Sequence, residues 1–196
     1  MPLPPAGTGD NGPSEEALIK QAQAKSPEAW SLIYERNFTR IYTYVYYRLR
    51  NRELAEDLAS QVFVEALSGI GRYRYTGRPL LAWLYRIAHN ITVDYIRRAS
   101  RDPARQALPE EIHGGDSTEA LAERTDIFQA LERLRPEQQQ VVILRFMEGL
   151  TSNEVASVMR KSEAAVKALQ VRALQTLRRE LGGGFDGLQL RGSEAL

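Results

Sequence analysis

Residues 150–181 hold two runs of helical periodicity separated by a short break. In the first run, Val155, Val158 and Met159 recur at the spacing of one helix face. The apolar positions of the second run also share one face and are Val166, Leu169, Ala173, Leu177 and Leu181. Thr151 and Glu154 form a capping box before the first run, and a serine precedes the second. The pattern predicts two short helices joined by a tight turn.

The opposite face of the second predicted helix carries mainly cations and alanines. Its residues are Ala164, Lys167, Ala168, Val171, Arg172, Gln175, Arg178 and Arg179. An α-helix fits the major groove of B-DNA, and small residues near its start let the backbone approach base edges closely. A solvated face and simple helix propensity would also account for these residue types. We interpret the pair of helices as a DNA-binding unit, which requires that the outward face from Glu163 onward be accessible.

The N-terminal half has the same helical character. Periodicity runs from Ser14 to about Arg98, and strand-like alternation appears nowhere at convincing length. Breaks at Ser26-Pro27, at residues 50–52 and at residues 69–79 predict about four helices. Their apolar positions, the predicted core, include Leu18, Trp30, Leu32, Ile33, Ile41, Leu49, Leu58, Val62, Phe63, Leu67, Leu81, Leu84, Ile87 and Ile91. The predicted fold class is therefore all-α.

Charge divides the chain into two basic blocks joined by an acidic bridge. Residues 14–101 hold 14 Lys or Arg against 9 Asp or Glu, and residues 124–182 hold 10 against 7. Residues 102–123 hold one cation against six carboxylates, among prolines and glycines, which predicts a flexible linker. We predict a disordered tail over 1–13, helical domains over 14–100 and 124–182, an acidic linker over 101–123 and a flexible tail over 183–196. The basic blocks suit a polyanion such as nucleic acid.

Two segments are rich in tyrosine. In residues 71–78, tyrosines alternate with arginines between glycines, so Tyr73 and Tyr75 could stack unpaired bases while the arginines hold phosphates. The same tyrosines could equally tuck onto the core, and the sequence leaves both interpretations open. In residues 41–47 the aromatic rings fall on several helix faces, which favours core and interface over a stacking platform.

Residues 80–98 form a strongly amphipathic helical segment. Its predicted buried stripe consists of Leu80, Leu84, Ile87, Ile91 and Tyr95. This leaves Arg86, Asn90, Arg97 and Arg98 free to face a partner.

Composition excludes several classes of site and of protein. The chain has no cysteine, so it cannot form a disulfide framework, a thiolate metal site or a cysteine nucleophile. His89 and His113 stand alone, without the spacing of metal ligands. No apolar run approaches the length of a membrane span, about 18 residues. The N-terminal residues lack the pattern of a signal peptide. We expect an intracellular protein that uses no cofactor, inserts into no membrane and is not an enzyme.

Three strings in order resemble a bacterial RNA polymerase sigma factor of the extracytoplasmic-function type, within the sigma-70 family. AEDLASQVFVEAL, from Ala55, resembles the region 2 helix that grips the polymerase clamp, and AWLYRIAHNITVDYIRR, from Ala82, resembles the promoter-reading helix after it. ALERLRPEQQQVVILRFMEGLTSNEVASVM, from Ala130, resembles region 4 leading into its helix-turn-helix. The resemblance covers about residues 14–182. It implies a region 2 helical bundle and a region 4 helix-turn-helix domain joined by the linker.

The resemblance also implies three sets of site residues. The polymerase-binding set is Asp57, Leu58, Gln61 and Phe63. The set for the promoter element near minus 10 is Tyr73, Arg74, Tyr75, Arg78, Arg86, Asn90, Arg97 and Arg98. The set for the element near minus 35 is Arg160, Lys161, Glu163, Ala164, Lys167, Ala168 and Arg172. The family usually has Gly in the turn where this chain has Arg160, so a left-handed backbone there would cost about 1 kcal/mol. The apolar anchor of the following helix moves from position 170 to Leu169.

The implied function is promoter-specific transcription initiation as a dissociable subunit of RNA polymerase. The implied partners are core RNA polymerase, promoter DNA and an anti-sigma factor, and the implied location is the bacterial cytoplasm. The alternative is a stand-alone helix-turn-helix transcriptional regulator that needs no polymerase contact. An enzyme is disfavoured because the carboxylates near Asp57 lie among surface cations, without a nucleophile or a phosphate-binding loop.

Overall fold

The computed structural model describes residues 13–101 and 129–180. The first group of helices comprises α1 (Glu15–Gln23), α2 (Pro27–Leu49), α3 (Arg52–Gly69) and α4 (Leu80–Ala99). A 3-10 turn, Ile70–Arg72, follows α3, and a loop then leads into α4. The breaks lie where the sequence predicts them. No strand occurs in either described range, so the all-α prediction is confirmed.

Side-chain caps fix where these helices begin. The Ser14 hydroxyl accepts a hydrogen bond from the Ala17 amide, and the Ser26 hydroxyl accepts one from the Ala29 amide. The Asn51 side chain accepts one from the Leu54 amide at 2.8 Å. Each cap satisfies an amide that the first helical turn leaves without a backbone acceptor. The sharp reversal between α2 and α3 places Arg50 in the left-handed region, at φ 54°.

The core of this group lies between α2, α3 and α4. Ile33, Ile41, Val62 and Leu84 are fully buried, as their periodicity predicts. The predicted core also included Leu67, and that prediction is wrong: its side chain is 55% exposed. Leu67 therefore lies on the solvent side of α3, whereas its neighbour Ala66 is fully buried. Residues 41–47 are all buried or half-buried, which agrees with the predicted core role of this segment.

The second group comprises α5 (Pro136–Val142), α6 (Ser152–Met159) and α7 (Glu163–Glu180). Residues 129–132 are helical, and α5 continues into a π-helical turn, Ile143–Met147. The capping box is present as predicted: the Glu154 amide donates to the Thr151 hydroxyl, and the Thr151 amide donates to the Glu154 carboxylate at 2.7 Å. Arg160 adopts the left-handed conformation that glycine usually has at this turn position, at φ 54° and ψ 44°.

The two groups pack against each other, which the sequence analysis did not predict. Helix α4 of the first group lies against α6 of the second, and α2 lies against the π-helical turn. The buried side chains form one continuous cluster that includes both groups. The predicted linker and the two predicted tails lie outside the described residues, apart from residue 101 of the linker and residue 13 of the N-terminal tail. No described helix is long and apolar enough to cross a membrane.

Candidate nucleic-acid interface

Helix α7 packs with one face and presents the other. Val166 and Ala173 are fully buried, and Leu177 is nearly so. Leu169 packs partly against the core, whereas Gln170 accepts a hydrogen bond from Arg145 Nε at 3.4 Å. This contact fixes the rotation of α7 with position 169 as the apolar anchor.

The predicted minus-35 set lies on and beside the outward face of α7. Glu163, Ala164, Lys167 and Arg172 are exposed, and Ala168 is half-buried. Within the preceding turn, Arg160 is exposed, whereas Lys161 pairs with Glu137 of α5 at 2.9 Å. Lys167 pairs with Glu163 at 2.9 Å, an exposed contact that contributes little to stability. The outward face is therefore accessible.

Val171 occupies the middle of this outward face, and its side chain is 54% exposed. At about 100° per residue, Ala164, Ala168 and Gln175 share its line along the helix, opposite the buried stripe. Lys167 and Arg178 lie to one side of that line. Arg172 and Arg179 lie to the other side. The face thus has an apolar centre between two basic rows, an arrangement that the predicted site list missed because it left out Val171.

The two tyrosines of the loop before α4 differ in how far they are buried. Tyr73 is half-buried and packs on Trp83, with ring centroids 4.8 Å apart. The Gln23 side-chain amide fixes the loop by donating to the carbonyl oxygens of Ile70 and Tyr73, at 3.0 and 2.8 Å. Tyr75, in contrast, is 37% exposed. Tyr73 is therefore the packed ring of the pair, and Tyr75 is the more exposed one.

A cleft of about 460 Å³ opens beside this loop. Four arginines line it, namely Arg72, Arg74, Arg78 and Arg86, together with the rings of Tyr73 and Trp83. No carboxylate is among its lining residues, which include Ser157 of α6. Guanidinium groups around an aromatic wall suit a nucleotide, because they can hold a phosphate while the ring contacts a base. The predicted minus-10 set left out two of these lining residues: Arg72, which belongs to the motif over 71–78, and Trp83, which lies beyond that motif on α4.

The remaining predicted minus-10 residues lie along α4. Arg86, Asn90, Arg97 and Arg98 are all exposed. Arg97 also pairs with Asp94 at 2.9 Å, one helical turn earlier. Exposed cations therefore occur both in the loop before α4 and along α4 itself.

Two residues of the predicted polymerase-binding set are exposed and two are buried. Asp57 and Gln61 are exposed on α3. Leu58 and Phe63 are buried, and Phe63 packs against Tyr34 with ring centroids 4.9 Å apart. The exposed side of α3 instead carries the apolar residues Val64, 63% exposed, and Leu67. The predicted core included Leu67 but not Val64, so sequence periodicity misplaced only Leu67.

Comparison with known proteins decides the family. Family models match residues 33–102 as Sigma-70 region 2 and residues 130–179 as Sigma-70 region 4. The chain is 37% identical over 184 residues to the ECF RNA polymerase sigma factor BldN of Streptomyces coelicolor, covering 90% of this chain and 69% of BldN. It is 36% identical over 138 residues to the ECF sigma factor SigD of Mycobacterium tuberculosis, covering 67% of this chain and 65% of SigD.

The chain belongs to the ECF RNA polymerase sigma factors. The sigma factor is accordingly a promoter-directing transcription initiation factor, a DNA-binding partner of core RNA polymerase. The match to region 2 disfavours a stand-alone helix-turn-helix regulator. A solved structure of CnrH in complex with the cytosolic domain of CnrY has the same fold, with a TM-score of 0.68 and 22% identity over 88% of this chain and 99% of that chain.

A buried polar triad joins region 2 to region 4 of the sigma factor. The Tyr85 hydroxyl on α4 donates to Oε2 of Glu148, which follows the π-helical turn. Arg40 of α2 donates to the Glu148 backbone oxygen at 2.5 Å, and its Nε lies 3.5 Å from Glu148 Oε2. Burial raises the pKa of Glu148, although Tyr85 and Arg40 partly oppose the shift. Burial and the nearby Glu148 charge raise the pKa of Tyr85 well above 10, so its phenol stays protonated and donates.

A second polar contact between the regions surrounds Gln140 of α5. The Gln140 amide donates to the Tyr44 hydroxyl at 3.3 Å and lies 2.6 Å from His89 Nδ1. Burial, with the charges of Arg48 and Arg160, lowers the pKa of His89 to about 4. His89 is therefore neutral at physiological pH, and its Nδ1 accepts from the amide. Burial raises the pKa of Tyr44 to about 12.

Proposed function

We propose that the two basic surfaces of the sigma factor bind separate elements of one promoter. Helix α7 enters the major groove of the duplex near minus 35, and the cleft with the exposed face of α4 holds the opened nontemplate strand near minus 10. The observation that supports this map most directly is the outward face of α7, which is accessible and has cations on both sides of an apolar centre.

At the minus-35 element, cations and apolar side chains have different roles. Lys167 and Arg172 lie in opposite basic rows and contact phosphates, which provides affinity that falls with salt. Ala164, Ala168 and Val171 lie closest to the base edges, where apolar groups contact thymine methyls. Arg160, Lys161 and Glu163 lie at the entrance to the groove. Because Lys161 also pairs with Glu137, its contribution to DNA binding is the smaller one.

At the minus-10 element, the cleft accepts one unpaired base. Arg74, Arg78 and Arg86 hold its phosphates, and Tyr75 stacks on a neighbouring base, at about 1–3 kcal/mol per stacked base. Asn90 reads a base edge from the exposed face of α4, followed by Arg97 and Arg98 on the backbone. Tyr73 supports the loop and, together with Trp83, forms the aromatic wall of the cleft.

The energy of strand opening requires polymerase. Opening about ten base-pair steps at about 1.4 kcal/mol each costs on the order of 14 kcal/mol. One base pocket and a few stacking contacts return much less than that. Polymerase therefore shares the work, and α3 is the surface that holds it, through Asp57, Gln61, Val64 and Leu67. Leu58 and Phe63 act from the core by holding α3 in place.

The remaining assignments follow from this map. The sigma factor works in the cytoplasm beside polymerase, without a cofactor and without catalysis of its own. The acidic linker follows the positively charged RNA path of polymerase, because its charge repels DNA. An anti-sigma factor is a further partner: the structural relative CnrH was solved in complex with the cytosolic domain of CnrY, and the RpoE relative of Bartonella quintana with the anti-sigma factor NepR.

Run-off transcription with core polymerase on a library of genomic fragments tests the proposal. We expect specific transcripts only when the sigma factor and core polymerase are both present. On a promoter found in this way, Lys167→Ala and Arg172→Ala should reduce transcription through the upstream element, and Asn90→Ala through the downstream one. Lys20→Ala, an exposed cation on α1, is the control and should be neutral. Equal activity of all four variants would refute the site map.

A further inference from the structure

One arginine contacts both helices of the helix-turn-helix unit. Arg145 lies in the π-helical turn before α6 and is half-buried. Its Nη1 donates a hydrogen bond to the carbonyl oxygen of Leu150, the residue before the Thr151 cap of α6. Its Nε donates to Oε1 of Gln170 on α7 at 3.4 Å. A single guanidinium therefore links the start of the first helix to the middle of the second one.

The backbone that carries Arg145 is held in place on both sides. The Glu148 amide donates to the carbonyl oxygen of Ile143 at 3.0 Å, and the Leu150 amide donates to that of Leu144 at 2.9 Å. The side chains of Ile143 and Leu144 are fully buried. A π-helical turn inserts an extra residue into a helix and is frequent at functional sites. The guanidinium of Arg145 is therefore attached to a fixed base.

The buried stripe of α7 is held differently at its two edges. Val166 and Ala173 are fully buried at its centre, and at about 100° per residue Leu169 and Gln170 lie on opposite edges. Leu169 packs partly against the core, whereas Gln170 is held by Arg145. Apolar burial has no preferred direction, but a hydrogen bond does. The polar edge can therefore select one rotation of α7 where the apolar edge cannot.

A small rotation of α7 would change the base contacts of its outward face. Side-chain tips lie about 5–6 Å from a helix axis, so a rotation of about 20° displaces a tip by about 2 Å. Hydrogen bonds tolerate a change of only about 0.5 Å in length. Val171, which is 54% exposed at the centre of the face, would move by the same amount. The bases that α7 meets thus depend on the contact between Arg145 and Gln170.

We propose that Arg145 is a positioning residue for promoter specificity: through Gln170 it sets the rotation of α7, and hence the bases that this helix reads, without contacting a base itself. The proposal rests on the minus-35 function of α7 given above. Because the same guanidinium holds Leu150, it also keeps α6 and α7 in one relative orientation. Loss of the guanidinium should alter which bases are preferred, rather than lower the affinity for all sequences equally.

Transcription from a promoter library tests this role. Holoenzyme made from the full chain and core polymerase transcribes templates randomised over the upstream element, and sequencing the RNA from barcoded templates gives the base preference at each position. Arg145→Met removes the guanidinium and keeps an apolar stem. We expect it to reduce the strongest preference by at least about fivefold, because a well-placed base contact provides that much discrimination. Arg133→Met, the same change at an exposed arginine earlier in region 4, is the control and should keep the wild-type preferences.

Variants of Gln170 test whether Arg145 acts through it. Gln170→Leu removes the acceptor and should shift the same positions as Arg145→Met, and the double variant should shift them no further. Gln170→Glu keeps an acceptor for Arg145 and should retain the wild-type preferences. These two variants carry the test if Arg145→Met fails to fold. Wild-type preferences in folded Arg145→Met or Gln170→Leu would overturn the proposal. A shift confined to the Gln170 variants would do so as well, since Gln170 would then read bases itself.

Salt dependence separates positioning from a direct phosphate contact. A lost phosphate contact lowers affinity for every sequence and reduces the slope of log affinity against log salt by about one. We expect Arg145→Met holoenzyme to keep the wild-type slope on its preferred upstream element, whereas Arg172→Ala should reduce the slope. A reduced slope with unchanged base preferences would show that Arg145 binds phosphate, and the positioning role would be wrong.

The wild type separates the two possible failures. If wild-type holoenzyme shows base preferences over the upstream element and the Arg145 and Gln170 variants leave them unchanged, the positioning role is wrong and the proposed function stands. If the wild type shows no base preference there, the minus-35 function of α7 itself fails.

Discussion

The Tyr85 hydroxyl of region 2 donates a hydrogen bond to the buried carboxylate of Glu148 in region 4, across 63 positions of the sequence. Both side chains are fully or almost fully buried. Tyr85 must remain protonated to donate, and its raised pKa ensures that it does. This bond gives the surrounding interface a defined geometry.

Removing the Tyr85 hydroxyl alone should destabilise the protein more than removing both the hydroxyl and the Glu148 carboxylate. Tyr85→Phe leaves the Glu148 carboxylate buried without its phenol donor, and we expect it to lower the free energy of unfolding by about 1.5–3 kcal/mol. Tyr85→Phe with Glu148→Leu removes the charge as well and should recover more than half of that loss. Urea unfolding measures both, with Tyr95→Phe as a control expected within about 0.5 kcal/mol of wild type. A double variant no more stable than Tyr85→Phe alone contradicts the assignment.

His89 should make the protein less stable in weak acid. Its pKa is about 4 in the folded protein against an ordinary value of 6.5, because burial and the charges of Arg48 and Arg160 disfavour the imidazolium while Glu137 only partly opposes them. The unfolded chain therefore takes up a proton between these values. The stability that His89 contributes is complete above pH 6.5 and is lost as pH falls toward 4. We expect a loss of about 1–3 kcal/mol, reduced from the full linkage value because solvent reaches part of the ring.

Two variants isolate this effect in urea unfolding at a series of pH values. His89→Gln should reduce the loss of unfolding free energy as pH falls from 6.5 toward 4, the acid limb of the stability curve. Glu148 has the opposite sign, because its raised pKa makes its ionised form costly and protonation relieves that cost as pH falls. Glu148→Gln should therefore steepen the acid limb. An acid limb unchanged in both variants would show that neither group carries the linkage.

The turn before α7 stores strain that glycine would relieve. Arg160 has φ 54°, and a side chain in this region costs about 1 kcal/mol. Arg160→Gly should therefore raise the thermal midpoint while weakening binding to promoter DNA, because the exposed cation is lost. Arg160→Ala removes the same charge and keeps the strain, so it should weaken DNA binding without the stability gain. A lower midpoint for Arg160→Gly would contradict this explanation.

Sequence patterns predict local structure in this protein better than contacts between distant parts. Caps at Ser26 and Thr151 and the turn at Arg160 depend only on neighbouring residues, so their positions follow from spacing. The Tyr85–Glu148 contact depends on the docking of two regions through a long connection, and nothing local encodes it. In the sequence, the only sign of this contact is that Glu148 stands among mainly apolar residues.

Site residues divide in the same way. Periodicity correctly separates Val166 and Leu177 from Lys167 and Arg172 on α7, because that helix has one buried stripe. It fails at Leu67 on α3, which is as apolar as the core residues but is exposed. Whether an apolar residue on a helix packs inside or outside depends on which neighbours cover it, and that information is tertiary.

The exposed apolar residues of α3 should matter for polymerase and not for folding. Val64→Ser and Leu67→Ser remove side chains that are 63% and 55% exposed, so the free energy of unfolding should change by no more than about 0.5 kcal/mol. If polymerase buries them, affinity should fall by about tenfold for each. Pull-down or surface binding with core polymerase measures this. Val93→Ser, the same change at an exposed valine of α4, is the control, and equal loss there would argue against a specific α3 contact.

Val171 should read thymine methyls at the upstream promoter element. It lies at the centre of the α7 face between two basic rows, and losing one methyl contact costs about 0.8 kcal/mol, or about fourfold in affinity. Val171→Ala should therefore weaken transcription from a thymine-containing element by about that factor.

Replacing thymine with uracil at the contacted position removes the methyl from the DNA instead. The uracil substitution should weaken DNA binding by the wild type about fourfold and leave DNA binding by Val171→Ala unchanged. Arg172→Ala, which removes a phosphate contact, should lower affinity at every sequence and keep the full uracil effect. If uracil weakens Val171→Ala as much as wild type at every position, Val171 does not contact the methyl.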